Sequence, residues 1–137
     1  METTDYVDYQ TAVALKECGF DEPCEMFYPD NIKIPCSEIS PFPKPRNWNV
    51  VEGKTSAVPL WHAQKWMREK KDLLVSVIPV CYYYEDREWV KEEPIKWCFT
   101  VNNLHSIAVD HQGRYATYEQ AISAGIAAAL ELITKGE

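Results

Sequence analysis

The sequence predicts an α+β domain in which helices pack on one face of a small, mainly antiparallel sheet, in the order α-ββ-α-ββ-α. Residues 117–134 open on a helix-start signature and continue with apolar residues at helical spacing. Residues 95–101 alternate apolar and polar types with the period of a half-buried strand. Each strand pair then needs a helix face to cover it, which fixes the layer arrangement. At 137 residues the chain fits one domain, 1–137, long enough to bury a core.

The elements follow in order. A first helix is predicted over about 6–18, capped by Thr4 or Asp5, with Asp8 favouring its positive end. Gly19 stands where a left-handed residue closes a helix, and Phe20 supplies the accompanying apolar contact. Residues 24–28 and 32–34 read as short strands around a turn at Pro29, Asp30 and Asn31. Residues 35–57, with Pro35, Pro41, Pro43 and Pro45, read as a long Pro-rich loop. A second helix starts near Pro59, with Thr55 and Ser56 as caps, and runs to about Lys71. Its inward face is Leu60, Ala63 and Met67, with Trp66 at the edge of that face.

Residues 73–84 are rich in β-branched and aromatic types and form a strand; Pro79 marks an edge or a bulge. A charged turn spans 85–93. In the strand 95–101, Ile95, Trp97, Phe99 and Val101 share one face, and Lys96, Cys98 and Thr100 a wetter one. The last helix begins at Thr117 with a Thr-x-x-Gln capping box. Ile122, Ile126, Ala129, Leu132 and Ile133 belong to its apolar side. Small residues, Gly125 among them, let this helix approach its neighbour closely.

The net charge of −7 resides in one segment. Residues 1–31 hold eight acids and one base, and the remaining 13 acids and 13 bases cancel. That balance disfavours nucleic-acid binding through an overall positive field and suits a solvated acidic surface. The five cysteines are odd in number, irregularly spaced and without a C-x-x-C. With no signal peptide and no apolar run near the ~18 residues of a membrane span, reduced thiols in a cytoplasm and no membrane are expected.

Few residues carry a chemical signature. His105, Asp110 and His111 lie between the last strand and last helix, but His-x5-His is not a zinc spacing. They are the least weak candidates for a small enzyme with an unrecognised site. Cys81 and Cys98 read as small core hydrophobes rather than nucleophiles. Glu92 and Glu93 read as members of a solvated turn. No dinucleotide fingerprint, phosphate loop or nucleophile elbow occurs. No cofactor and no metal site are therefore expected.

Two surfaces remain. Tyr82 and Tyr84, with Trp89 nearby, either pack or form an exposed contact patch, Tyr83 falling on the opposite face. Lys65, Arg68, Lys70 and Lys71 crowd the end of the second helix and are the basic face through which a nucleic-acid-associated role would act.

Three stretches, ALKECGFDEP at 14–23, AVPLWHAQKWMREK at 57–70 and TYEQAISAGI at 117–126, together resemble a set of small proteins of phages, prophages and mobile elements of gut bacteria. That family has no established activity, so the resemblance carries over no site residue; it implies a bacterial or phage-encoded accessory protein. The expected function is a non-enzymatic accessory or interaction module, with a protein partner or self-association. The alternatives are a nucleic-acid-associated accessory protein and a small enzyme; an acidic decoy of DNA charge is a further one.

Overall fold

The computed structural model describes residues 5–30, 32–38, 44–103 and 107–135. It is an α+β fold with three helices and two three-stranded antiparallel sheets. The order is α1 (Tyr9–Glu17), β1 (Met26–Pro29), β2 (Cys36–Ser37), β3 (Lys54–Ala57), α2 (Leu60–Lys70), β4 (Leu74–Glu85), β5 (Glu88–Asn102), β6 (Ile107–Tyr115) and α3 (Tyr118–Lys135). The first sheet runs β2-β1-β3 and the second is the meander β4-β5-β6. Two strands thus join the predicted order, β3 and β6.

The first helix starts later than predicted because Asp8, not Thr4 or Asp5, is its cap: the Thr11 amide donates to Asp8 Oδ1 at 2.7 Å. Its end matches the sequence reading. Gly19 takes φ +94°, its amide donates to the Lys16 carbonyl, and the Phe20 amide donates back to Leu15. Phe20 and Leu15 are both buried, which completes the stop.

The region 35–57 holds more structure than a loop. β2 and β3 flank β1, and between them a 3-10 turn at Trp48–Val50 carries a buried indole. Trp48 Nε1 donates to the Cys24 carbonyl, and the Trp48 amide donates to Ser56 Oγ. Asn49 ties Phe20 to Ser56 in the same way, donating from Nδ2 and accepting at Oδ1. Thr55 and Ser56 are buried strand residues, not caps; Pro59 occupies the N-cap of α2 without a side-chain bond.

α2 buries Leu60, Ala63, Trp66 and Met67, so Trp66 is in the core rather than at its edge. α3 begins as its capping box predicts. The Gln120 amide donates to Thr117 Oγ1 at 3.1 Å, and Gln120 Oε1 accepts from the Ala116 amide. It lies along β4, β5 and β6 and touches α1 and α2. A Cβ at Gly125 would stand 2.6 Å from Val75 Cγ1, so the helix meets the sheet where it has no side chain.

In β5, Phe99 and Val101 are buried as the alternation requires, but so are Cys98 and Thr100 on the face predicted to be wetter. β5 is the central strand of the sheet, with β4 and β6 hydrogen-bonded along its two edges. Ile95, assigned to the buried face, is exposed because it lies toward the distal end of the β4–β5 hairpin. No helix among the described residues is long and apolar enough to cross a membrane.

Candidate functional site

β4 and β5 run on past the core as a two-stranded arm. Its tip is a two-residue turn, Asp86-Arg87, both left-handed (φ 52° and 67°), between the paired Glu85 and Glu88. A register shift between Val80 and Tyr82 marks the arm's root. Beyond it Tyr82 pairs with Lys91, Tyr83 with Val90 and Tyr84 with Trp89. Alternation therefore places Tyr82, Tyr84, Trp89 and Lys91 on one face and Tyr83, Val90 and Glu92 on the other.

The two faces differ in chemistry. On the inner one Arg114 of β6 pairs with the Glu92 carboxylate, and its guanidinium lies 5.1 Å from the centre of the Tyr83 ring. Glu92 is buried, so it belongs to a brace and not to the solvated turn expected of it. On the outer face Tyr82, Tyr84 and Trp89 are 58%, 60% and 72% exposed. Tyr84 and Trp89 meet edge to face at 5.2 Å.

A second feature surrounds Trp61, whose indole is 65% exposed. It stacks on His62 at 5.1 Å and 13°. His62 Nε2 donates to Glu22 Oε1 at 2.7 Å, and Phe20 meets the imidazole edge-on. Trp61 lines clefts of about 370 Å³ and about 360 Å³. The latter also holds Tyr6, Pro23, Cys24, Glu25 and His62. Burial raises the Tyr6 phenol above its ordinary range, with Glu25, Asp5 and Cys24 adding to it, and pushes the Cys24 thiol up to about 12. The thiol is a buried donor toward the Glu22 carbonyl and not a thiolate nucleophile. A wider groove of about 880 Å³ runs between α1 and α3. Much of its polarity is already engaged: Asp8 caps α1, Tyr28 donates to the Val7 carbonyl and Gln120 caps α3.

The predicted site residues do not converge. His105 lies outside the described residues. Asp110 and His111 belong to strand β6, not to a loop; they are exposed and bonded to each other. Among the described residues no three His, Cys, Asp or Glu side chains are placed to hold a metal ion. Lys65, Arg68 and Lys70 are exposed on α2, but Lys70 lies about 140° around the helix from Lys65. The Lys71 ammonium sits 5.4 Å from the Trp66 ring centre. The basic face is therefore divided.

Sequence reasoning left Trp61 and His62 uninterpreted. The signal was present in the helical spacing: Trp61 falls off the Leu60, Ala63 and Met67 stripe, which predicts an exposed indole. No protein-family model, curated protein or solved structure matches this chain.

Proposed function

We propose that this chain is a non-enzymatic protein-interaction module whose contact surface is the outer face of the β4–β5 arm. The observation that carries the reading is the asymmetry of the arm. One face is braced by Arg114, Glu92 and Tyr83, while the other presents Tyr82, Tyr84 and Trp89 to solvent. Tyr and Trp dominate binding energy at protein interfaces, and each buries roughly 150–250 Å² when covered. A two-stranded arm offers too small an area for a permanent complex, so a transient contact is expected. An accessory role in a phage or mobile-element setting accords with such a module. The same reading keeps the helices on one side of the strands, supported by the course of α3 along β4–β6.

The test compares the wild-type chain with a Tyr84→Ser/Trp89→Ala variant. Light scattering across a concentration series reads self-association, and affinity capture from host lysate reads other partners. Loss of a wild-type contact in the variant, at unchanged far-UV circular dichroism, supports the reading. A variant that keeps every wild-type contact and oligomeric state refutes it.

A further inference from the structure

We infer that the cleft between Trp61 and the Tyr6–Glu25 wall is a binding site for a small organic amine: a protonated nitrogen carried on a planar apolar body. Its volume of about 360 Å³ falls within the size of small-molecule sites. Much of its lining is apolar, with Pro23, Met26, Pro45 and Pro59 joining the indole. The indole itself is held in place. It stacks on His62, His62 is fixed by Glu22, and Phe20 closes the imidazole edge. An aromatic face fixed before the ligand arrives lowers the ordering cost of binding, and an indole is the best ring for a cation to rest upon.

Two polar groups of this cleft, the Tyr6 hydroxyl and the Glu25 carboxylate, are open to a ligand. Tyr6 is only 6% exposed, yet its hydroxyl makes no hydrogen bond to the described residues. Its electrostatic neighbours include Cys24 and Glu25, which line the same cleft. The hydroxyl keeps contact with solvent at the cleft, where a ligand donor can take the place of water. Glu25 likewise forms no ion pair among the described residues.

The sign of the site selects the ligand. Glu25 lines the cleft and Glu22 stands behind His62, while among the described residues no lysine or arginine lines it. The nearest base by strand pairing, Arg46, is bridged to Cys24 through its backbone, but its guanidinium is turned to Glu38 and the Trp48 ring. An anion here meets the like charge of the Glu25 carboxylate. A primary ammonium offers three donors to the Glu25 carboxylate and the Tyr6 oxygen, with its apolar body against Trp61 and the prolines.

The experiment titrates the full chain with three matched probes, phenethylamine, phenethyl alcohol and phenylacetate, at neutral pH. The indole N–H of Trp61 and the ring resonances of His62 are followed by NMR. Phenethylamine is expected to give saturable shifts with affinity on the order of millimolar, the alcohol a weaker response and phenylacetate the weakest. Glu25→Gln, a change at an exposed residue, should weaken phenethylamine about three- to tenfold while leaving the alcohol unchanged. Tyr6→Phe should weaken both. Three results overturn the proposal: no saturable shift at Trp61 and His62, phenylacetate binding as well as the amine, or Glu25→Gln leaving amine affinity intact.

Discussion

Replacing Gly125 with alanine sets two known effects against each other. In a solvated helix interior the exchange stabilises by about 1 kcal/mol, because glycine has the greater backbone freedom to lose. Here the new Cβ would lie 2.6 Å from Val75 Cγ1 and 3.3 Å from Phe99 Cβ and Cδ1. Carbon atoms rest at about 3.5–4.0 Å, so α3 or the Val75 side chain must move by roughly 1 Å. Val75 and Phe99 are both buried in the core, where such overpacking costs about 1–3 kcal/mol. A 2.6 Å approach calls for the upper half of that range, so the steric term exceeds the helical one and Gly125→Ala is expected to lose about 1–2 kcal/mol net. That corresponds to a fall in Tm of roughly 3–8 °C for a domain of this size. Val75→Ala alone should cost about 1–2.5 kcal/mol through lost burial. In the double variant the clash has gone, so the two losses should fall short of additivity by at least about 1 kcal/mol. Urea unfolding followed by tryptophan emission and circular dichroism measures all four corners of this cycle. A Gly125→Ala chain more stable than the wild type, or a coupling of zero, would refute the close approach of α3 to β4 and β5.

The remaining predictions concern the arm and the buried ionisable groups. Arg87 holds φ 67° in the tip turn, so Arg87→Gly should stabilise the chain by roughly 1 kcal/mol, read as a raised urea midpoint; a lowered one would contradict the turn geometry. Arg114→Ala strips the partner from buried Glu92 and should cost about 1–3 kcal/mol, whereas Arg114→Met with Glu92→Leu should recover most of that loss. Burial pushes the Cys24 thiol up to about 12, from an unfolded value near 9. Its contribution is complete below pH 9 and declines as pH rises from 9 toward 12, by up to about 1.4 kcal/mol per unit for that one proton. Tyr28 acts in the same direction, moved by burial from 10 to about 12. Urea midpoints at pH 8, 9.5 and 10.5 should therefore fall in the wild type and fall less in Cys24→Ala; identical profiles would remove the thiol from the account. Below pH 9 a thiol reagent should modify exposed Cys81 well before buried Cys24 and Cys98.

Local signals governed what could be read from the chain alone. Gly19, the Thr117–Gln120 box and the Leu60, Ala63 and Met67 stripe each act within one or two turns of helix, and each stands where the sequence puts it. The missed strands depend on partners far away. β3 is Lys54, Thr55, Ser56 and Ala57, without an apolar alternation; Ser56 is buried because Asn49 and Trp48 satisfy its polar groups. β6 has no clean period either, since register shifts, Gly113 and the left-handed His111 interrupt it. The candidate contact face was partly legible: alternation separates Tyr83 from Tyr82 and Tyr84, but exposure follows from the length of the arm. The Glu92–Arg114 pair joins positions 22 residues apart and left no mark in the spacing.

Trp48 has a consequence for how the molecule comes apart. Strands of two and four residues carry too few ladder bonds to persist alone. A single indole, packed on Phe27 with Lys54 and Arg46 near its ring, bolts three chain segments into one body. Such a joint has no intermediate settings. The first sheet should therefore release as a block, its amide protons exchanging with one common protection factor, while the helix-backed meander beside it keeps a separate clock.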